Sequence, residues 1–184
     1  MGFWGHIVAV RSTRPAAELP VLRNNPAWAS SGDGDYDVRH VAEGGWQIID
    51  VHSDEALPLD ALAHDSGAPV LAAYVLDSDG VNLTGFGPAS GLWEGWIGPE
   101  GSSCYAIDDP YAADDAAFDA AEARIRAELP ERARQAVAWA EEAGLTPDPE
   151  AVLAAMQGDE TFAEDLFVRV LAALGVPGIP EGED

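Results

Sequence analysis

Residues 69–97 read PVLAAYVL (69–76), DSDG (77–80), VNLTGF (81–86), GPASG (87–91) and LWEGWI (92–97). The first segment is a continuous apolar run of strand length, which predicts a strand buried on both faces. Asp79-Gly80 is a tight-turn pair, and VNLTGF follows as the partner strand. Pro88 to Gly91 connects it to a third strand, Leu92 to Ile97. Such short connections join antiparallel neighbours, because a parallel pair needs a crossover of a dozen residues or more. The middle of the chain is therefore an antiparallel meander.

Upstream, Phe3 to Val10 (FWGHIVAV) and Gly45 to His52 (GWQIIDVH) carry the same β-rich signature. Ala16 to Leu22 predicts a short helical turn, and Asn24 to Asp37 a loop rich in Asn, Ser, Gly and Asp. Asp54 to His64 predicts a short helix around Leu57, Leu59 and Leu62, with Pro58 in its first turn. Downstream of Asp114 the apolar period changes from two to 3.6. Phe118, Ala121, Ile125 and Leu129 share one helical face. Pro130 either kinks this helix or opens the next, which runs to about Ala143 before Gly144. Asp148 caps a further helix with Pro149 at its first position. The last helix has the clearest stripe: Phe162, Leu166, Phe167, Val170, Leu171 and Leu174.

Strands first and helices after predict an α+β fold, an antiparallel β-meander packed by a C-terminal group of helices. The 184 residues suit a single domain, mainly β over 1–110, mainly α over 111–176, with an acidic tail over 177–184.

Charge is the second informative feature. The chain has no lysine, nine arginines and 33 acids, for a net charge of -24. No lysine or arginine lies between Arg39 and Arg124, and His40 to Ala123 carries sixteen acids. A field of one sign selects some partners and repels others. It disfavours nucleic acid and anionic membrane and favours a basic protein. A lone Cys104 leaves no intramolecular disulfide and no multi-cysteine zinc site, as in a reducing compartment. The apolar run after Phe3 lacks a basic flank and stops at Arg11, unlike a signal peptide. A cytoplasmic location follows as the expectation.

Asp50 and His52 lie two apart on a strand and so share a face, where a carboxylate and an imidazole could work as an acid–base pair. They supply at most two metal ligands; His64 with Asp65 could contribute, but nothing in the sequence forces them close, and no bound metal is expected. Asp77-Ser78-Asp79-Gly80 begins like a calcium loop, but the twelfth position is Pro88, not the required Glu. Ser102, Ser103 and Cys104 lack a nucleophile elbow. Gly85-Phe86-Gly87 lacks the third glycine and following helix of a dinucleotide site, so no cofactor is implied. Trp93 and Trp96 face opposite sides of their strand: one should pack inward, the other cover a cleft or face out. Exposed aromatics among acids suit a basic partner or a cationic ligand.

These residues imply an inhibitor-like or immunity-like binding protein for a basic partner, with Trp93, Trp96, Glu94, Glu100, Asp77 and Asp79 as its binding residues. A variant of this reading is a DNA mimic, whose rows of carboxylates imitate phosphates. The alternatives are a hydrolase using Asp50 and His52, and a structural accessory whose acidity serves solubility alone.

Overall fold

Seven residues of β1 (Gly5–Arg11) open the chain and end up at the centre of the sheet. A 3-10 turn (Ala16–Glu18), α1 (Pro20–Arg23) and β2 (Tyr36–Val41) follow. A second 3-10 turn (Glu43–Gly45) leads to β3 (Trp46–Val51), α2 (Leu59–Ser66), β4 (Val70–Leu76), β5 (Gly80–Gly87) and β6 (Gly91–Ile97). The chain continues with α3 (Pro99–Ser102), α4 (Asp115–Glu142), α5 (Pro149–Met156) and α6 (Ala163–Ala173). The structure, a computed structural model, describes residues 2–24, 36–111 and 113–179, and of Ala17, Tyr36 and Asp37 only the backbone. The expected acidic end of the tail and most of the expected loop at 24–37 lie outside the described residues.

The fold is α+β. One six-stranded sheet runs in the order β2-β3-β1-β4-β5-β6, and every pair is antiparallel. β4-β5-β6 is the expected meander. β1 is central because its residues 7–10 are apolar on both faces and completely buried. The chain passes from β3 to β4 across β1, and α2 lies in that connection.

Side-chain alternation splits the core in two. Ile7, Ala9, Leu71, Ala73, Val75, Val81, Leu83, Trp93 and Ile97 face α4, α5 and α6. Val8, Val10, Ile49, Val51, Val70 and Ala72 face the other way, onto α1, the first 3-10 turn and α2. In α6, Leu166, Phe167, Val170 and Leu171 are buried as the stripe requires. Phe162 leaves it: this residue is the N-cap and is exposed. Leu171→Ala should cost about 2–5 kcal/mol of unfolding free energy, because a fully buried leucine loses transfer energy and leaves a cavity. Urea unfolding checks it; a loss below about 0.5 kcal/mol, the size of a surface effect, would count against this packing.

Three local outcomes differ from the sequence reading or choose between its alternatives. α4 is one helix of 28 residues with Pro130 inside it, not two. The buried face continues through the proline as Ile125, Leu129, Ala133, Ala136, Trp139 and Ala140, while Pro130 itself is exposed. Packing of that face outweighs the single backbone hydrogen bond the proline removes. Second, β2 forms an edge strand, with a register shift between Val38 and His40. It has no apolar alternation to betray it: Val38 and Val41 are both exposed. Third, the left-handed residues of the β4–β5 turn are Asp77 (φ 53°) and Ser78 (φ 62°), not Asp79-Gly80. Both are held from outside the turn: the Gly2 N–H donates to Asp77 Oδ1 (2.7 Å) and the Phe3 N–H to Ser78 Oγ (2.7 Å).

Candidate functional site

The helices cover the two faces of the sheet unequally. α4, α5 and α6 close one face out to β6. On the other, α2 reaches β1, β4 and β5 and leaves the β5–β6 corner open. The period of two then decides what is displayed there. Asn82, Thr84 and Phe86 of β5 and Leu92, Glu94 and Trp96 of β6 are half-buried or exposed, whereas Val81, Leu83, Trp93 and Ile97 are buried on the opposite face.

Strand register arranges these side chains in rows. His6, Tyr74, Asn82 and Trp96 are successive partners across β1, β4, β5 and β6. At about 4.8 Å per strand this row spans roughly 14 Å of sheet. The next row is Val8, Ala72, Thr84 and Glu94, and the one after it Val70, Phe86 and Leu92. Above these rows lies a cleft of about 740 Å³. The segment Asp54 to Asp60, leading into α2, forms one wall, and Tyr105 closes the end beyond the His6 row.

Tyr105 stands there for two structural reasons. Its ring lies on Gly80, where a Cβ would come within 2.4 Å of a ring carbon. The strand must therefore carry glycine at this point. The turn that carries Tyr105 is tied to the sheet by Ser102, which is fully buried. Its hydroxyl donates to the Ile97 carbonyl (2.6 Å) and accepts from the Val81 N–H (3.0 Å). Burial, reinforced by the charges of Cys104, Asp79 and Asp77, pushes the Tyr105 phenol up to about 12.

Among the described cleft residues, His6 alone comes from outside the segment that lacks lysine and arginine. Its ring stacks on Tyr74 with centroids 4.6 Å apart and planes tilted by 33°. Its Nε2 lies 3.1 Å from the Glu55 carbonyl, which can only accept, so the proton sits on Nε2. Burial lowers its pKa to about 4, so the ring is neutral at pH 7. Burial and the Asp54 charge raise the Tyr74 phenol as well. Among the described residues, no arginine lines the cleft, and its charged groups are the carboxylates of Asp54, Asp60 and Glu94.

The residues singled out from sequence are divided among separate places. Trp96 and Glu94 line the cleft. Trp93 points away, 4 % exposed, its indole lying against Gly85 beneath α4. Asp77 and Asp79 are exposed close to Tyr105, whose phenol feels both charges. The Gly2 N–H, then the Trp4 indole, hold the Asp77 carboxyl below the usual range. Glu100 is outside the cleft, beside Asp159, whose hydrogen bond and charge raise its pKa. Asp50 is ion-paired: the Arg39 Nε–H lies 2.9 and 3.1 Å from its two oxygens. His52 is exposed, its ring edge-on to Phe3 at 5.4 Å. Cys104 is half-buried, its thiol raised by burial and 3.6 Å from the Gly101 carbonyl. His64 is exposed on α2. Among the described residues, no group of three or more His, Cys, Asp or Glu side chains converges as metal ligands, and no helix is long and apolar enough to cross a membrane.

Sequence reasoning did not connect His6, Tyr74, Asn82 and Thr84 with a site. Their one signal was the alternation itself: Asn82 and Thr84 interrupt an otherwise apolar strand on the face that also carries Glu94 and Trp96. No protein-family model, no curated protein and no solved structure matches the chain.

Proposed function

We propose that this protein is a non-catalytic binding protein for a basic protein partner, and that the open β5–β6 corner is its binding surface. The observation that carries the reading is the cleft lining: aromatic and apolar walls whose only charges, among the described residues, are the carboxylates of Asp54, Asp60 and Glu94. A concave surface with a few placed polar groups is the usual form of a binding site. Carboxylates in a concave surface favour cationic partners and speed their approach. The net charge of -24 adds a long-range field of the same sign. A hydrolase built on Asp50 and His52 finds less support, because Asp50 is ion-paired with Arg39.

Capture of a basic partner by the immobilised protein, with the partner identified by mass, tests the proposal. Capture should weaken as salt rises, since exposed charges are screened over about 8 Å at physiological salt. Glu94→Arg should reduce it strongly, and mainly by slowing association. Glu100→Arg makes the same change in net charge outside the cleft and should reduce it less. Both variants should keep their melting temperature, because both glutamates are exposed. Binding indifferent to salt and to Glu94→Arg would sink the proposal.

A further inference from the structure

The cleft chemistry defines what the partner must insert. We infer that the β5–β6 cleft receives one arginine side chain of the partner, with its guanidinium between Trp96 and Glu94 and its methylene stem along the apolar wall at Leu57. This inference rests on the proposed function and specifies its anchor. Trp96 and Glu94 are two apart on one strand face, roughly 7 Å along β6, so an indole and a carboxylate line the cleft side by side. Asn82 stands directly opposite Trp96 and Thr84 opposite Glu94, adding side-chain acceptors on the floor. A planar guanidinium can stack on an aromatic ring while donating in its own plane to a carboxylate. It is also less strongly hydrated than an ammonium, so entering a partly apolar cleft costs it less. His6 is neutral at pH 7 and so adds no cation to oppose the guest. Among the described residues β6 is the last strand of the sheet, with a neighbour on one side only, so the backbone that carries the arginine can approach beside it.

The test is a titration of the full ¹⁵N-labelled chain with three capped amino acids: N-acetyl-arginine amide, the lysine counterpart and the uncharged citrulline counterpart. The indole N–H signal of Trp96, assigned with Trp96→Phe, is the readout. The arginine compound should shift this signal saturably. Lysine should bind at least about threefold more weakly, the size of a modest aromatic–cation preference, and citrulline should leave the signal in place. Glu94→Gln should weaken arginine binding by a similar factor or more while the other indole signals stay put, which shows the fold intact. Equal shifts from citrulline, or binding that ignores Glu94→Gln, overturn the inference. No arginine binding, with partner capture still lost in Glu94→Arg, overturns the anchor and leaves the broader reading standing. Arginine binding at Trp96 without any captured basic protein keeps the guanidinium site but overturns the protein source assigned to it here.

Discussion

Replacing Trp139 with alanine should lower the unfolding free energy by about 3–5 kcal/mol, the range for deleting a buried tryptophan. Trp139 is fully buried on α4, and its ring meets Trp46 of β3 edge-on, with centroids 6.1 Å apart. Its indole N–H also donates to the Val70 carbonyl (3.0 Å), a hydrogen bond between the long helix and the first residue of β4. Alanine would leave a large cavity and remove the indole partner of a buried carbonyl. The cost is a large share of the roughly 5–15 kcal/mol that holds a domain folded. Trp139→Phe separates the two parts: it keeps most of the buried ring and loses the hydrogen bond, and should cost about 1–3 kcal/mol. Urea unfolding of both variants is the measurement. A loss below about 1 kcal/mol in the alanine variant, the average for any substitution, would mean that α4 is not packed on the sheet through this residue.

The second large effect is on the pH dependence of stability. His6 has a folded-state pKa of about 4 against an ordinary value of 6.5, because burial disfavours its charged form. The unfolded chain therefore takes up the proton first as the pH falls. Stability from this group is fully present above pH 6.5, declines as the pH drops, and is lost by about pH 4. A difference of this size corresponds to about 3 kcal/mol. Carboxylates titrate in the lower part of this window too, so the decisive quantity is a difference between proteins. His6→Asn should be less stable at pH 7, having lost the stack on Tyr74, yet its stability should fall less steeply between pH 6.5 and 4. Denaturation series in steps across that range would show it. Parallel curves for the two proteins would mean that His6 is exposed to water in the folded state.

Much of the sheet was readable because local chemistry and tertiary position agree there. The run at 69–76 is buried on both faces from Pro69 to Ala73, and only Tyr74 and Leu76 are half-buried, where they line the cleft. Asp148 and Pro149 mark a helix start, and Asp148 Oδ1 does accept the N–H groups of Glu150 (3.0 Å) and Ala151 (3.3 Å). β2 was hidden because an edge strand needs a neighbour more than an apolar pattern. Its partner β3 lies beyond a 3-10 turn at Glu43–Gly45, in which Gly44 and Gly45 take positive φ.

The cleft divides along the same line. Strand periodicity alone determined that Trp96 and Glu94 share one face, that Trp93 takes the other, and that Asn82 and Thr84 alternate with Val81 and Leu83. Composition determined the charge, since the described cleft residues other than His6 fall inside a stretch without lysine or arginine. Only the tertiary structure decided which of the two faces the long helix would close and how far α2 would reach across the other. Only the order of the strands put His6, from the start of the chain, in one row with Trp96, ninety residues later. Alternation along a strand is local, set by the backbone of each residue. Coverage of a face and adjacency of strands are non-local, set by which packing buries the most apolar surface across the whole chain.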